Sequence, residues 1–241
     1  MPLLTDDNEK PPVSTSSMNG DSGIDPGKHI ASSPEDVIDY LTEAEIRAIL
    51  STLTTEQNRL LFTVGFELGG RVSEVGTPTP RKDKEGRLAQ KPNIRRPHAL
   101  GLLWSRVHFK QGYIVIWDEK KDVDRVCHLS KSTWKLLRAY SNRSDVIESR
   151  KHDDRVFPLS CKTLERRLRQ WAKDAGIERR VRWHMLRHSY VVHSIRAGRD
   201  WRVISQQTGD KVTTLMKVYS GLSIEDTQEL IDKHPLLGGL V

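Results

Sequence analysis

Cysteine is scarce in this chain: its 241 residues include only Cys127 and Cys161. Two such residues, far apart and without metal-ligand spacing, build neither a disulfide framework nor a zinc site. Their scarcity favours a reducing, intracellular setting. Long apolar runs are missing as well. None reaches the roughly 18 residues that a membrane-spanning helix needs, and no basic-then-apolar leader opens the chain. No repeat of fixed period is found. What the chain has in excess is positive charge, with a net +7 and a pI of 9.4. That charge is unevenly placed. Residues 1–40 hold eight acidic side chains against two lysines, a net of −6, which leaves +13 for the remainder. A folded body this basic suggests a polyanion as partner, DNA or RNA.

Taken in order, residues 1–36 are rich in Pro, Ser, Gly and Asp and hold few large apolar groups. Such a segment cannot bury enough surface to offset its ordering entropy, so a disordered acidic tail is predicted. Order is expected from residue 37. Thr42 with Glu45 has the capping-box form, and Ile46, Ile49 and Leu50 follow at helical spacing. A second helix is predicted over 56–68, with Leu60, Leu61, Val64 and Leu68 as its stripe and Gly69-Gly70 as its end. Arg71 opens the next helix. Residues 76–98 hold Pro78, Pro80 and Pro92 among basic side chains, and read as an inserted loop. Its Arg81, Lys82, Arg95 and Arg96 are candidate phosphate contacts.

Residues 113–117 are β-branched and aromatic, hence a strand. Asp118 to Asp124 read as a polar turn, and 125–129 as the returning strand of a hairpin. Helices are predicted over 131–140 and 164–175. In the second, Leu164, Leu168, Trp171, Ala172 and Ala175 share a stripe, while Arg166, Arg167, Arg169 and Lys173 lie largely elsewhere and are candidates for a DNA-facing side. A long helix then runs through 184–195 to Gly198, a short one spans 201–208, and a last one covers 223–234. The fold class is therefore mostly α (α+β): a helical bundle with a small antiparallel sheet.

Within this frame one stretch carries chemistry. His184 and Arg187 are three residues apart, so on a helix they share a face. An imidazole and a guanidinium so placed can grip the oxygens of one phosphate. Tyr219 comes 32 residues after Arg187, and Arg71 stands far upstream in Gly-Gly-Arg-Val-Ser-Glu. The order Arg, hairpin Lys, His-x-x-Arg, Tyr resembles the tyrosine recombinases, or phage-integrase family, over roughly residues 40–225.

That resemblance implies a catalytic domain over 37–222 and a metal-free, ATP-free DNA strand exchange. Tyr219 attacks a phosphodiester and forms a 3′-phosphotyrosyl link. Arg71 and Arg187 neutralise the charge that develops on the phosphate. His184 binds the phosphate or handles the tyrosine proton. Lys120, with Lys121 as the neighbouring candidate, protonates the leaving oxygen. His188 is implied to be structural, orienting His184 or Tyr219, and Glu74 to hold the turn at Arg71. The implied setting is a site-specific recombinase or integrase of a mobile element. It acts on double-stranded DNA as a homo-oligomer, a tetramer on DNA, in the cytoplasm, with no membrane, no cofactor and no metal. Residues 223–241 are implied to be exchanged between subunits.

The chain departs from the family's pattern at three points. Leu103-Trp104 falls 33 residues after Arg71, measured to Trp104, where the family has a short gap. Only the acidic tail precedes the domain, where members usually carry a helical DNA-binding domain. Nine residues before Tyr219, where the family places His or Trp, stands Asp210. An ionised Asp cannot donate a hydrogen bond to phosphate. Either Lys211 supplies that donor or the site is weak there. Two alternatives stay open: a type IB topoisomerase-like relaxing enzyme, and a DNA-binding protein of the same fold with weak or lost catalysis. If the basic loop holds phosphates, removing residues 77–97 is expected to lower DNA affinity and flatten its dependence on salt, as a binding titration at several ionic strengths would record.

Overall fold

The computed structural model describes residues 28–29, 38–77, 101–118, 121–219 and 232. The basic insertion with Arg81, Lys82, Arg95 and Arg96, the hairpin Lys120, most of the acidic tail and nearly all of 223–241 lie outside the described residues. Two short strands, β1 (Lys28–His29) and β2 (Ile38–Asp39), pair antiparallel, so one piece of the acidic segment lies against the start of the folded body.

Helix α1 (Glu43–Thr52) starts where its sequence dictates. Glu45 N donates to Thr42 Oγ1 at 3.2 Å and Thr42 N donates to Glu45 Oε2 at 2.7 Å, which satisfies two orphan donors of the first turn. Helix α2 (Glu56–Glu67) is capped by Thr55 and buries Leu60, Leu61, Phe62 and Val64. Gly69, at φ 53°, ends it. After the short helix α3 (Val72–Val75), the chain leaves at Thr77 and returns at Gly101, whose N–H donates to Ser73 O at 3.0 Å. The basic segment 78–100 is thus inserted between two anchored ends.

Strands β3 (Val107–His108), β4 (Tyr113–Asp118) and β5 (Val123–Cys127) form one antiparallel sheet in that order. Asp118 pairs with Val123 and Ile114 with Cys127. The polar turn predicted over Asp118 to Asp124 is therefore shorter than its composition suggests. Asp118 is a strand residue and only 1% exposed, because an ion pair holds it inside. The returning strand starts two residues earlier than 125 and stops short of His128. Helices α4 (Lys131–Ser141), α5 (Ser144–Arg150), α6 (Cys161–Asp174), α7 (Trp183–Arg196), α8 (Trp201–Thr208) and α9 (Val212–Tyr219) complete the domain. Neither β3 nor α5 is legible in the sequence: two residues show no alternation, and α5 buries only Val146.

Two apolar clusters hold these elements. The larger joins α1, α2, α4, α6 and the sheet through residues such as Leu61, Phe62, Ile114, Phe157 and Leu168, and includes Trp183 and Leu186 of α7. The smaller gathers Tyr40, Tyr190, Val191, Ile195, Ile204, Leu215 and Tyr219, so it seats α9 on α7 and α8. Between α2 and α7 the approach is close: a Cβ on Gly65 would stand 2.7 Å from Cζ2 of the buried Trp183. Gly65→Val should therefore force Trp183 from its seat and lower stability by about 1–3 kcal/mol in chemical denaturation.

Candidate active site

Helix α7 sets the geometry. Trp183, Met185 and Leu186 turn into the larger cluster. His184 keeps an exposed edge, His188 is half-buried and Arg187 is almost fully buried. Arg187 Nη1 donates to two backbone carbonyls, Gly69 O at 2.9 Å and Thr208 O at 2.8 Å. Its Nη2 lies 2.5 Å from Asp210 Oδ2, but in an orientation that makes no aligned hydrogen bond. One face of the guanidinium is fixed by the ends of α2 and α8, while the other meets a carboxylate at an awkward angle.

Tyr219, the last residue of α9, is buried, and its hydroxyl is 2.5 Å from His188 Nδ1. The His188 ring in turn meets the His184 ring edge-on, with centroids 4.3 Å apart. Burial is the main influence on all three groups. It lowers the His188 imidazole to a pKa of about 4, helped by the nearby His184 and Arg187, while Asp210 opposes. His184 is lowered too, by burial first and then by Arg187; Asp210 opposes and Arg71 adds a smaller push. The Tyr219 phenol is pushed up by burial, a trend that Arg187 opposes and Asp210 reinforces. At neutral pH the resting site thus holds a protonated phenol against a neutral imidazole. The natural tautomer leaves Nδ1 free to accept the phenol's hydrogen.

Arg71 caps α3 and is about one-third exposed. Its Nη1 donates to Asp118 Oδ1 at 3.1 Å. Glu74, fully buried, accepts the Arg71 backbone N–H at 2.7 Å. Glu74 also takes a two-pronged ion pair from Arg125 of β5, at 2.9 and 2.7 Å. Burial alone would raise the Asp118 carboxyl, but the Arg71 and Arg125 charges hold it below the usual carboxylate range. Arg125 Nε reaches on to Gln207 O at 3.2 Å, and Gln207 bonds the backbone of Glu67 and His128. Lys121 donates its ammonium to Gly209 O. The Arg71 turn, the hairpin and the α8 end are in this way stitched together.

The sequence did not single out Asp118 or Arg125. The available signal is weak: both are charged residues near the turn of a hairpin that also carries Asp122 and Asp124. His184, Arg187, His188, Asp210 and Tyr219 come together at the junction of α7, α8 and α9, and Arg71 lies close enough for its charge to reach His184. Lys211 is exposed beside this cluster. On α6, Arg166, Arg169 and Lys173 are exposed, whereas Arg167 is half-buried with Nη1 3.3 Å from Asn58 Oδ1. Among the described residues no group of His, Cys, Asp or Glu could hold a metal ion, and no helix is long and apolar enough to cross a membrane.

A helical domain with a small antiparallel sheet, presenting an arginine, two imidazoles and a tyrosine at one junction, has the parts of an enzyme that works on phosphate esters. Residues 87–223, more than half of the chain, match the phage integrase family, and the chain belongs to that family. It is 28% identical over 216 residues to the tyrosine recombinase XerA of Thermococcus onnurineus, a match covering 86% of this chain and 67% of that protein. Another XerA, from Pyrococcus horikoshii, is 24% identical over 85% of this chain and 64% of its own length. The chain thus spans about two thirds of these relatives. A crystal structure of XerA recombinase shares the fold, with a TM-score of 0.59 at 24% identity over 81% of this chain and 65% of that one.

The His188 shift makes a pH prediction. In the unfolded chain this imidazole titrates near 6.5, in the folded one near 4. Between those values the unfolded state binds the extra proton, so stability complete above pH 6.5 is lost as pH falls toward 4, by about 3 kcal/mol at most. Denaturant titrations at pH 7 and 4.5 should show this loss, and His188→Gln should make it shallower.

Proposed function

We propose that this chain is the catalytic part of a site-specific DNA recombinase or integrase. The observation that carries the reading is the Tyr219 hydroxyl held on His188, near enough to Arg187 for that charge to act on the phenol. In the reaction the Tyr219 oxygen attacks a scissile phosphorus and the bond to the 5′-oxygen breaks. The product is a 3′-phosphotyrosyl link and a free 5′-hydroxyl. Attack by another 5′-hydroxyl reverses these events and reseals a strand, with the bond energy retained in the phosphotyrosyl link. Arg187 and Arg71 stabilise the charge on the non-bridging oxygens, a role typically worth about 2.7–4 kcal/mol per donor. His184 hydrogen-bonds the phosphate from its exposed edge. His188, the nearer imidazole to the phenol, takes the tyrosine proton. Lys120 delivers a proton to the leaving 5′-oxygen.

The exposed Arg166, Arg169 and Lys173 of α6, with Arg81, Lys82, Arg95 and Arg96 of the insertion, track the duplex backbone and make binding steeply salt-dependent. We place the protein in the cytoplasm with its DNA, assembled as a tetramer there, with residues 223–241 docking on a neighbouring subunit. A second reading, a DNA-binding protein of this fold with weak catalysis, is favoured by one observation: a carboxylate, Asp210, lies against Arg187 where a donor to phosphate belongs.

Nicked duplexes of pooled sequence, which trap a covalent adduct by losing the short cleaved end, separate the two. The recombinase reading expects an SDS-resistant protein–DNA adduct from the unaltered chain and none from Tyr219→Phe. DNA binding without adduct in either protein supports the binder. An adduct that survives Tyr219→Phe contradicts both the nucleophile and the mechanism.

A further inference from the structure

We propose that Asp210 is a built-in counter-ion: it occupies the phosphate-facing side of Arg187 in the resting site, and the scissile phosphate has to displace it before Tyr219 can act. The proposal rests on the recombinase reading and adds a step to it. Arg187 is 4% exposed in its side chain, and its Nη1 is committed to the carbonyls of Gly69 and Thr208. Of the donors left for a substrate, Nη2 is the one that faces Asp210. That atom is buried, makes no aligned hydrogen bond among the described residues, and sits 2.5 Å from Asp210 Oδ2. Asp210 approaches from the solvent side, its side chain 27% exposed. A carboxylate in this place neutralises the cation without satisfying its geometry. A phosphodiester offers two non-bridging oxygens and can take both charge and alignment.

The backbone around Asp210 favours a swing of the side chain over a shift of the chain. Gly209, at φ 80°, closes α8; Asp210 N donates to Thr208 Oγ1 at 3.3 Å; Ser205 Oγ donates to Asp210 O at 2.6 Å. The carboxylate also has somewhere to go. A hollow beside it is bordered by Asp118, Lys121, Arg125 and Gly209, so two cations and one carboxylate line the space next to its resting place. Leaving Arg187 has a consequence for the nucleophile. With Asp210 in place, its negative charge reinforces the burial that keeps the Tyr219 phenol protonated, and offsets the opposing effect of Arg187. Displacement by phosphate takes the Asp210 charge from Arg187 and puts the reacting phosphodiester in its place, beside the phenol that has to lose its proton. A duplex anchored along its backbone presents one phosphodiester at high local concentration and so opens the site more readily than a free anion does.

The test uses the whole chain, with inorganic phosphate as probe and the ring resonances of His184 and His188 as reporters in an NMR titration. Asp210→Asn removes the charge at constant shape, Asp210→Ser repeats this with a second neutral side chain, and Asp210→Glu keeps the charge. The neutral variants are expected to bind phosphate about ten-fold more tightly than the unaltered protein, and Asp210→Glu no more than about two-fold more tightly. On nicked duplexes the neutral variants should also form the Tyr219 adduct about ten-fold faster. Equal or weaker phosphate binding in both neutral variants overturns the proposal. So does an equal gain in Asp210→Glu, which would mark a loosened loop rather than a removed charge. The phosphate titration needs no turnover, so the complete lack of adduct in all four proteins would count against the recombinase reading while the titration still decides the role of Asp210.

Discussion

A guanidinium with almost no access to water has to find its partners inside the protein, and for Arg187 those partners are helix ends. Thr208 O closes the last turn of α8 and Gly69 O lies just past the end of α2, where carbonyls lack an intrahelical donor and the helix dipole is negative. One side chain from α7 thus satisfies two orphan acceptors and joins three helices. The burial would be costly if the cation were left unpaired. With two carbonyls and one carboxylate around it, the position of Arg187 is instead tightly determined. Everything else at the junction is referred to it: His184 and His188 lie on the same helix, Asp210 meets it from α8's end, and Tyr219 follows nine residues on at the close of α9.

A second buried network does for Arg71 what helix ends do for Arg187. Glu74 receives both the Arg71 backbone and the Arg125 guanidinium, and Asp118 receives the Arg71 side chain. Pairs of this kind contribute little net stability, because desolvation offsets most of the attraction. Their effect here is on geometry. They tie the turn at Arg71 to both strands of the hairpin whose tip carries Lys120 and Lys121, and Arg125 and Lys121 extend the tie to the α8 end. Arg71 and Lys121 are thereby kept in fixed relation although 50 residues separate them along the chain.

Much of this was legible in the sequence, for physical reasons. The α2 stripe of Leu60, Leu61 and Val64, the capping box at Thr42 and the spacing of His184 and Arg187 are local patterns with helical period, and local patterns survive folding. Tyr219 was singled out by motif order alone, since nothing in its own neighbourhood distinguishes it from Tyr190. The rest was hidden because it depends on contacts between distant segments. Asp118 reads as a turn residue until Arg71 is placed beside it. Arg125 reads as an exposed strand residue until Glu74 is seen underneath. His188 was assigned a supporting role, and only the packing of α9 on α7 puts it, rather than His184, against the phenol. The meaning of Asp210 was likewise out of reach: its charge showed that it could not donate, but not that it would pair with Arg187.

The proposed chemistry depends on Nη2 of Arg187 as a donor that faces the reacting phosphate. A crystal structure with bound tungstate, a phosphate-shaped and electron-dense anion, examines this directly. The anion is expected on Arg187 Nη2 and the exposed edge of His184, with the Asp210 carboxylate withdrawn from the guanidinium. An anion seated elsewhere, with Arg187 and Asp210 still paired, would contradict it.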